Sequence, residues 1–130
     1  MGYTTDFTGN FKLDKPLTVE HARYLKAFNE TRRMKRDATK TAERSDPVRE
    51  AVGLPVGPQG AYCVAEGGFM GQDSGPDVLN SNEAPTGQPG LWCQWVPNEE
   101  GTAIEWDGGE KFYEYTEWLA YLIENFLDPW

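Results

Sequence analysis

Leu91-Trp92-Cys93-Gln94-Trp95-Val96 and Thr102-Ala103-Ile104-Glu105-Trp106 flank Asn98-Glu99-Glu100-Gly101. Both flanks are rich in aromatic and aliphatic residues, and the spacer has the Asn and Gly that tight turns use. The stretch therefore reads as a β-hairpin with a four-residue loop. Asp107-Gly108-Gly109 closes it. From about Glu110 to Leu127, residues Phe112, Tyr115, Leu119, Leu122, Ile123 and Phe126 recur at helical spacing. Glu110, Glu114, Glu117 and Glu124 take the remaining surface, as in an amphipathic C-terminal helix.

Upstream, Tyr3, Thr5, Phe7, Phe11 and Leu13 share one parity, which predicts a half-buried strand with a break at Gly9-Asn10. Thr18 is a predicted N-cap and Glu20 an acid in the first helical turn. His21, Leu25 and Phe28 lie along one face of that helix, with Tyr24 beside them. Beyond Phe28 the apolar stripe fails, so a solvated, basic second half is expected, kinked near Asn29. Asp46-Pro47 opens a short helix that Gly53 ends. Ala61–Ala65 reads as a strand, Phe69-Met70 as its return, and 71–90 as a long irregular stretch. The order is β, α, short α, β, β, loop, β, β, α. It predicts an α+β fold, with one antiparallel sheet of about five strands and helices packed on one face, in a single domain over 1–130.

With 130 residues, 38% of them apolar, the chain can fill a core. No apolar run approaches the ~20 residues of a membrane span. Met1-Gly2-Tyr3-Thr4-Thr5-Asp6 lacks the regions of a signal peptide, and Cys63 and Cys93 are expected as buried thiols. Both point to the cytoplasm. The net charge of −9 is unevenly placed: eleven of the twelve Lys and Arg lie in residues 1–50, and only Lys111 lies beyond. Such a split suggests anionic partners for one end and cationic partners for the other, or, as the preferred reading, mutual pairing within the protein. A pI of about 4.5 argues against general nucleic-acid binding.

His21 is the single histidine, so no Ser-His-Asp or Cys-His arrangement can be built around a pair. Two cysteines thirty residues apart do not make the close ligand pairs of structural zinc. Asp73, Asp77, Asn80, Asn82 and Glu83 offer oxygen donors, but their spacing fails the calcium-loop motif and a solvated loop is preferred. No cofactor, metal ligand or catalytic residue is assigned. Glu105, Asp107 and Glu110 offer an acid/base pair if they converge beside Trp106, although Asp107 reads better as a turn or cap residue. In Arg32-Arg33-Met34-Lys35-Arg36, a helix would put Arg32, Lys35 and Arg36 on one face. Guanidinium groups match phosphate, but Glu30, Asp37 and the acidic second half offer the preferred, internal answer. Trp92, Trp95, Trp106, Trp118, Tyr113 and Tyr121 exceed what one small core face needs, and in a strand Trp92 and Trp95 point to opposite sides.

Gly2-Tyr-Thr-Thr-Asp-Phe7, Thr31-Arg-Arg-Met-Lys-Arg-Asp37, Gly71-Gln-Asp73, Gly90-Leu-Trp-Cys-Gln-Trp95 and Glu105-Trp-Asp-Gly-Gly-Glu-Lys-Phe-Tyr113 running into Tyr115-Thr-Glu-Trp-Leu119 carry a resemblance. Across essentially its whole length the chain resembles a family of small proteins of bacteria and their phages to which no activity, cofactor or substrate is assigned. A phage or prophage setting implies a protein that binds and modulates host machinery. The expected function is therefore a non-catalytic binding protein that docks on a host protein, a defence protein among the candidates. It would do so through an acidic, aromatic surface, without direct nucleic-acid or membrane contact. The alternatives are a small-ligand binder that holds a nucleotide or other phosphate through residues 32–36, or a small enzyme that uses Glu110 and Asp107. The binding candidates are Arg32, Arg33, Arg36, Trp92, Trp95, Trp106, Asp107 and Glu110.

Overall fold

The computed structural model describes residues 10–43, 46–64, 78–80, 82–108 and 114–130. The hairpin stands where the sequence puts it. β4 (Trp95–Pro97) and β5 (Ala103–Trp106) pair antiparallel, with Trp95 opposite Trp106 and Val96 opposite Glu105. Three short strands precede them in the chain: β1 (Phe11–Lys12), β2 (Lys35–Arg36) and β3 (Val78–Asn80). The turn is built by Asn98, whose Oδ1 accepts from the N–H groups of Thr102 (2.8 Å) and Ala103 (3.2 Å). Gly101 sits at φ +71°, where a side chain would also press on the Leu17 carbonyl.

The helix α1 (Val19–Glu30) opens as predicted, with the Thr18 hydroxyl accepting from the His21 N–H at 3.1 Å. It buries Tyr24, Leu25, Ala27 and Phe28 and stops at Glu30, so the expected basic second half is not helical. One local and one long-range bond go with the stop: the Thr31 hydroxyl donates to the Ala27 carbonyl, and Asn29 Nδ2 leaves the helix to reach the Cys93 carbonyl at 2.6 Å. The chain then runs extended through β2. Asp37 caps the short α2 (Ala38–Ala42), with Oδ1 accepting from Thr39 and Lys40. Next, α3 (Pro47–Ala51) begins at Asp46 and Pro47 as the sequence suggests, and Gly53 follows it at φ +73°.

The described strands pair antiparallel throughout and make two sheets, β1-β5-β4 and β2-β3, where one sheet of about five strands was expected. The division arises because residues 35–36, expected in a helix, pair instead with 78–80, expected in a loop. Cys63 and Val64 are buried without strand structure, and the predicted return at Phe69-Met70 lies outside the described residues, as does most of the predicted strand over 3–13. Phe11, expected inward, is 48% exposed and meets Trp95 edge-on at 5.5 Å.

The C-terminal helix α4 (Tyr115–Leu122) continues into one wide turn at Ile123–Leu127, where the Asp128 N–H donates to the Ile123 carbonyl five residues back. Its buried face is Trp118, Leu122 and Phe126, while Tyr115 and Ile123 of the predicted stripe stay exposed. Phe126 is ringed by Tyr24, Phe28, Tyr62, Tyr121 and Trp130 at centroid distances of 5.3 to 5.9 Å. This aromatic cluster is the centre of a core that α1, α3, β4, β5 and α4 share. No helix among the described residues is long and apolar enough to cross a membrane.

Candidate functional site

The basic run 32–36 is where sequence and structure differ most. Because its backbone is extended, Arg32, Lys35 and Arg36 do not line one helical face. Arg32 is half-buried, and its Nη2 donates to Asn82 Oδ1 at 3.3 Å. Lys35 Nζ lies 2.7 Å from Glu83 Oε1. Arg36 is 3% exposed and lies under Gly60, where a Cβ would meet the Arg36 Cβ at 3.0 Å. Arg33 goes deepest, at 1% exposed.

Among the described residues, the groups that meet Arg33 are internal and none is a carboxylate. Nη2 donates to the Ala61 carbonyl at 2.7 Å and Nε to Gln88 Oε1 at 3.3 Å, while the guanidinium carbon stands 4.1 Å from the Phe28 ring centroid. Gln88 is fixed in turn, its Nε2 donating to the Ala61 carbonyl and to the Tyr121 hydroxyl. Two donors in this neighbourhood, Arg33 Nη1 and Trp118 Nε1, are buried without a hydrogen-bond partner. Burial raises the Tyr24 and Tyr121 hydroxyls above their ordinary range and pushes the Cys93 thiol up to about 12, although the nearby Arg33 charge pulls each of them down. All three groups are therefore neutral at physiological pH.

A cavity of about 430 Å³ opens against this corner, with Lys35, Asn82, Glu83, Gln88, Gly90 and Leu91 in its wall. A second, of about 570 Å³, lies between β1, the start of α1 and the C-terminal segment, with Lys12, Leu17, His21, Ile104, Leu119 and Trp130 in its lining. There the His21 ring lies parallel to Trp130 at 3.9 Å, and burial lowers the His21 pKa against the opposing charge of Glu20.

No family model, curated protein or solved structure matches the chain. What the sites do chemically follows from their own side chains.

Asp107 is exposed and accepts from Asn29 Nδ2 at 2.8 Å, and its N–H donates to the Gln94 carbonyl, closing the hairpin. Glu110, its expected acid/base companion, lies outside the described residues. Trp95 is buried, with Nε1 donating to the Tyr115 carbonyl at 2.9 Å, and Trp106 is half-buried, with Nε1 3.3 Å from Gln94 Oε1. Trp92 is half-buried and lies ahead of β4, so the expected strand alternation with Trp95 does not apply to it. Gln88 carries no motif that singles it out; Gly90 opens the Gly90–Trp95 motif and Asn29 marks the expected kink, but the sequence gives neither a role, and Trp118 is one ring among many. No group of three or more His, Cys, Asp or Glu among the described residues is arranged to hold a metal ion.

Proposed function

We propose that this chain is a non-catalytic binding protein that docks on a basic surface of a host protein through its own carboxylates. A phage or mobile-element setting and a reducing, cytoplasmic site of action belong to this reading. The observation that carries it is where the positive charge goes: Arg33, Arg36 and Arg49 are only 1%, 3% and 8% exposed. Arg33 is held by the Ala61 carbonyl, Gln88 and the Phe28 ring, and Arg49 by the Leu54 carbonyl and the Asp46 carboxylate. A chain with net charge −9 thereby presents a surface more acidic than its composition suggests. Beyond residue 50 the sequence has one lysine, Lys111, and no arginine. Glu117 and Glu124 are exposed two turns apart on one side of the C-terminal helix, with Ala120 between them. Glu114 precedes them, and Tyr115, 42% exposed, supplies an aromatic contact of the kind that interfaces favour. With Trp95 and Trp118 buried, the aromatic residues that reach the surface among the described ones include Phe11, Tyr115, Trp92 and Trp106.

The test is quantitative. A partner captured from host lysate is identified and titrated at about 50 and about 300 mM salt. Affinity is expected to fall at least about tenfold between them. The double substitution Glu117→Lys, Glu124→Lys, checked for unchanged melting, is expected to weaken binding by a similar factor. Binding indifferent to both salt and charge reversal rules the reading out.

A further inference from the structure

The Arg33 corner is a cation enclosed in the core. A guanidinium cannot shed its proton to escape burial, and a buried ion without an opposite charge is strongly disfavoured. No carboxylate pairs with Arg33 among the described residues, and Tyr24, Tyr121 and Cys93 around it stay neutral. Its Nη1 has no acceptor, and neither has Trp118 Nε1. Both side chains border Phe28. The Phe28 ring meets the Arg33 guanidinium at 4.1 Å and the Trp118 ring, edge-on, at 5.8 Å. Tyr121 contacts both Phe28 and Trp118. Neither side chain is in the wall of the cavity beside residues 82–91, but two wall residues adjoin them. Gln88 is hydrogen-bonded to Arg33 Nε, and a Cβ placed on Gly90 would stand 3.7 Å from Trp118 Nε1, at ordinary contact distance.

We propose that this corner is an anion seat: a small oxyanion enters from the cavity past Gly90 and accepts hydrogen bonds from Arg33 Nη1 and Trp118 Nε1. A carboxylate or phosphate oxygen supplies both the acceptor that the two donors lack and the negative charge that the guanidinium lacks. At the rim, the Lys35–Glu83 pair adds no net charge, so selectivity rests on the inner donors.

The test uses the full chain and two probes, inorganic phosphate and acetate, each at constant ionic strength against chloride. In a ¹H–¹⁵N spectrum the Trp118 indole signal, assigned by its loss in Trp118→Phe, is expected to shift saturably with at least one of them. At ten times its Kd that anion is expected to raise Tm by about 3–6 °C. Phosphate alone acting marks a phosphate site, and acetate acting as well marks a general oxyanion seat. Arg33→Met is expected to abolish both effects. If that variant does not fold, Gly90→Val, which fills the passage and leaves the arginine in place, is expected to reduce the affinity at least about tenfold. An indole signal unmoved by either probe means that ordered water answers the two donors, and overturns the proposal. A response unchanged in Arg33→Met or in Gly90→Val overturns it too.

Discussion

Asn29 is the residue on which the hairpin's closure and the end of α1 both depend. Its Nδ2 donates one hydrogen to the Cys93 carbonyl at 2.6 Å and the other to Asp107 Oδ2 at 2.8 Å. Asn29→Ala removes the donor from a carbonyl inside the core, a loss of about 1–3 kcal/mol, and an exposed contact to a carboxylate, roughly 0.2–1 kcal/mol. The sum is about 1–4 kcal/mol. Asn29→Asp removes the same donors and adds a second carboxylate against Asp107. At this partly exposed position the repulsion adds about 1–2 kcal/mol, nearer the aqueous end of the Coulomb range than the buried one. The order of stability at pH 7 is then wild type, Asn29→Ala, Asn29→Asp. The sign with pH follows. Repulsion raises the introduced carboxyl's folded pKa above its unfolded value of ~3.9, so the folded state binds its proton first. The extra penalty is full above the folded pKa and fades as pH falls through it, because a protonated carboxyl can donate to Asp107. Urea unfolding followed by tryptophan fluorescence at pH 7 and pH 4, with unchanged m-values, measures both quantities. An Asn29→Asp protein as stable as Asn29→Ala at pH 7 would refute the reasoning, since the two side chains could not then face each other.

Phe126→Ala removes the ring that five others surround and is expected to cost about 3–5 kcal/mol, a large part of the stability of a domain this size, with Tm falling by well over ~10 °C. A drop of only a few degrees would mean that the cluster repacks. The Cys93 thiol, buried and pushed up to about 12, is expected to stay unmodified by Ellman's reagent at pH 8 in the folded protein and to react on unfolding. Prompt labelling of Cys93 in the native state contradicts its position. His21 is expected to titrate by NMR below the ordinary histidine value of 6.5. Its folded pKa is depressed, so its contribution to stability is present above 6.5 and is lost as pH falls toward the folded pKa. A midpoint above 6.5 would show that protonation strengthens the stack on Trp130.

What the sequence made legible was local. The Asn98 turn, the Thr18 cap and the Asp46-Pro47 helix start each rest on bonds within a few residues, and all three form as read. The failure of the apolar stripe after Phe28 was also visible, but its outcome was not. Whether a polar segment continues as helix or leaves it depends on partners such as Cys93 and Leu91, about sixty residues away. The pairing of Lys35–Arg36 with Val78–Asn80 joins strands too short to show alternation. The run 32–36 reads as cations that need an answer, and the answers a sequence offers are carboxylates or a phosphate ligand. A carbonyl, an amide and a benzene ring leave no charge pattern in a sequence.

The widened turn at Ile123–Leu127 holds one residue more than an α-helical turn would. Winding the same residues as regular α-helix, with none removed, would swing everything downstream by about 100° around the axis. Trp130 would then leave the face of His21, and the opening between β1 and α1 would lose one wall. The tail is thus indexed to the rest of the molecule by a counting irregularity. Homologues that keep the same aromatic end should keep the surplus residue, whatever else in the helix they change.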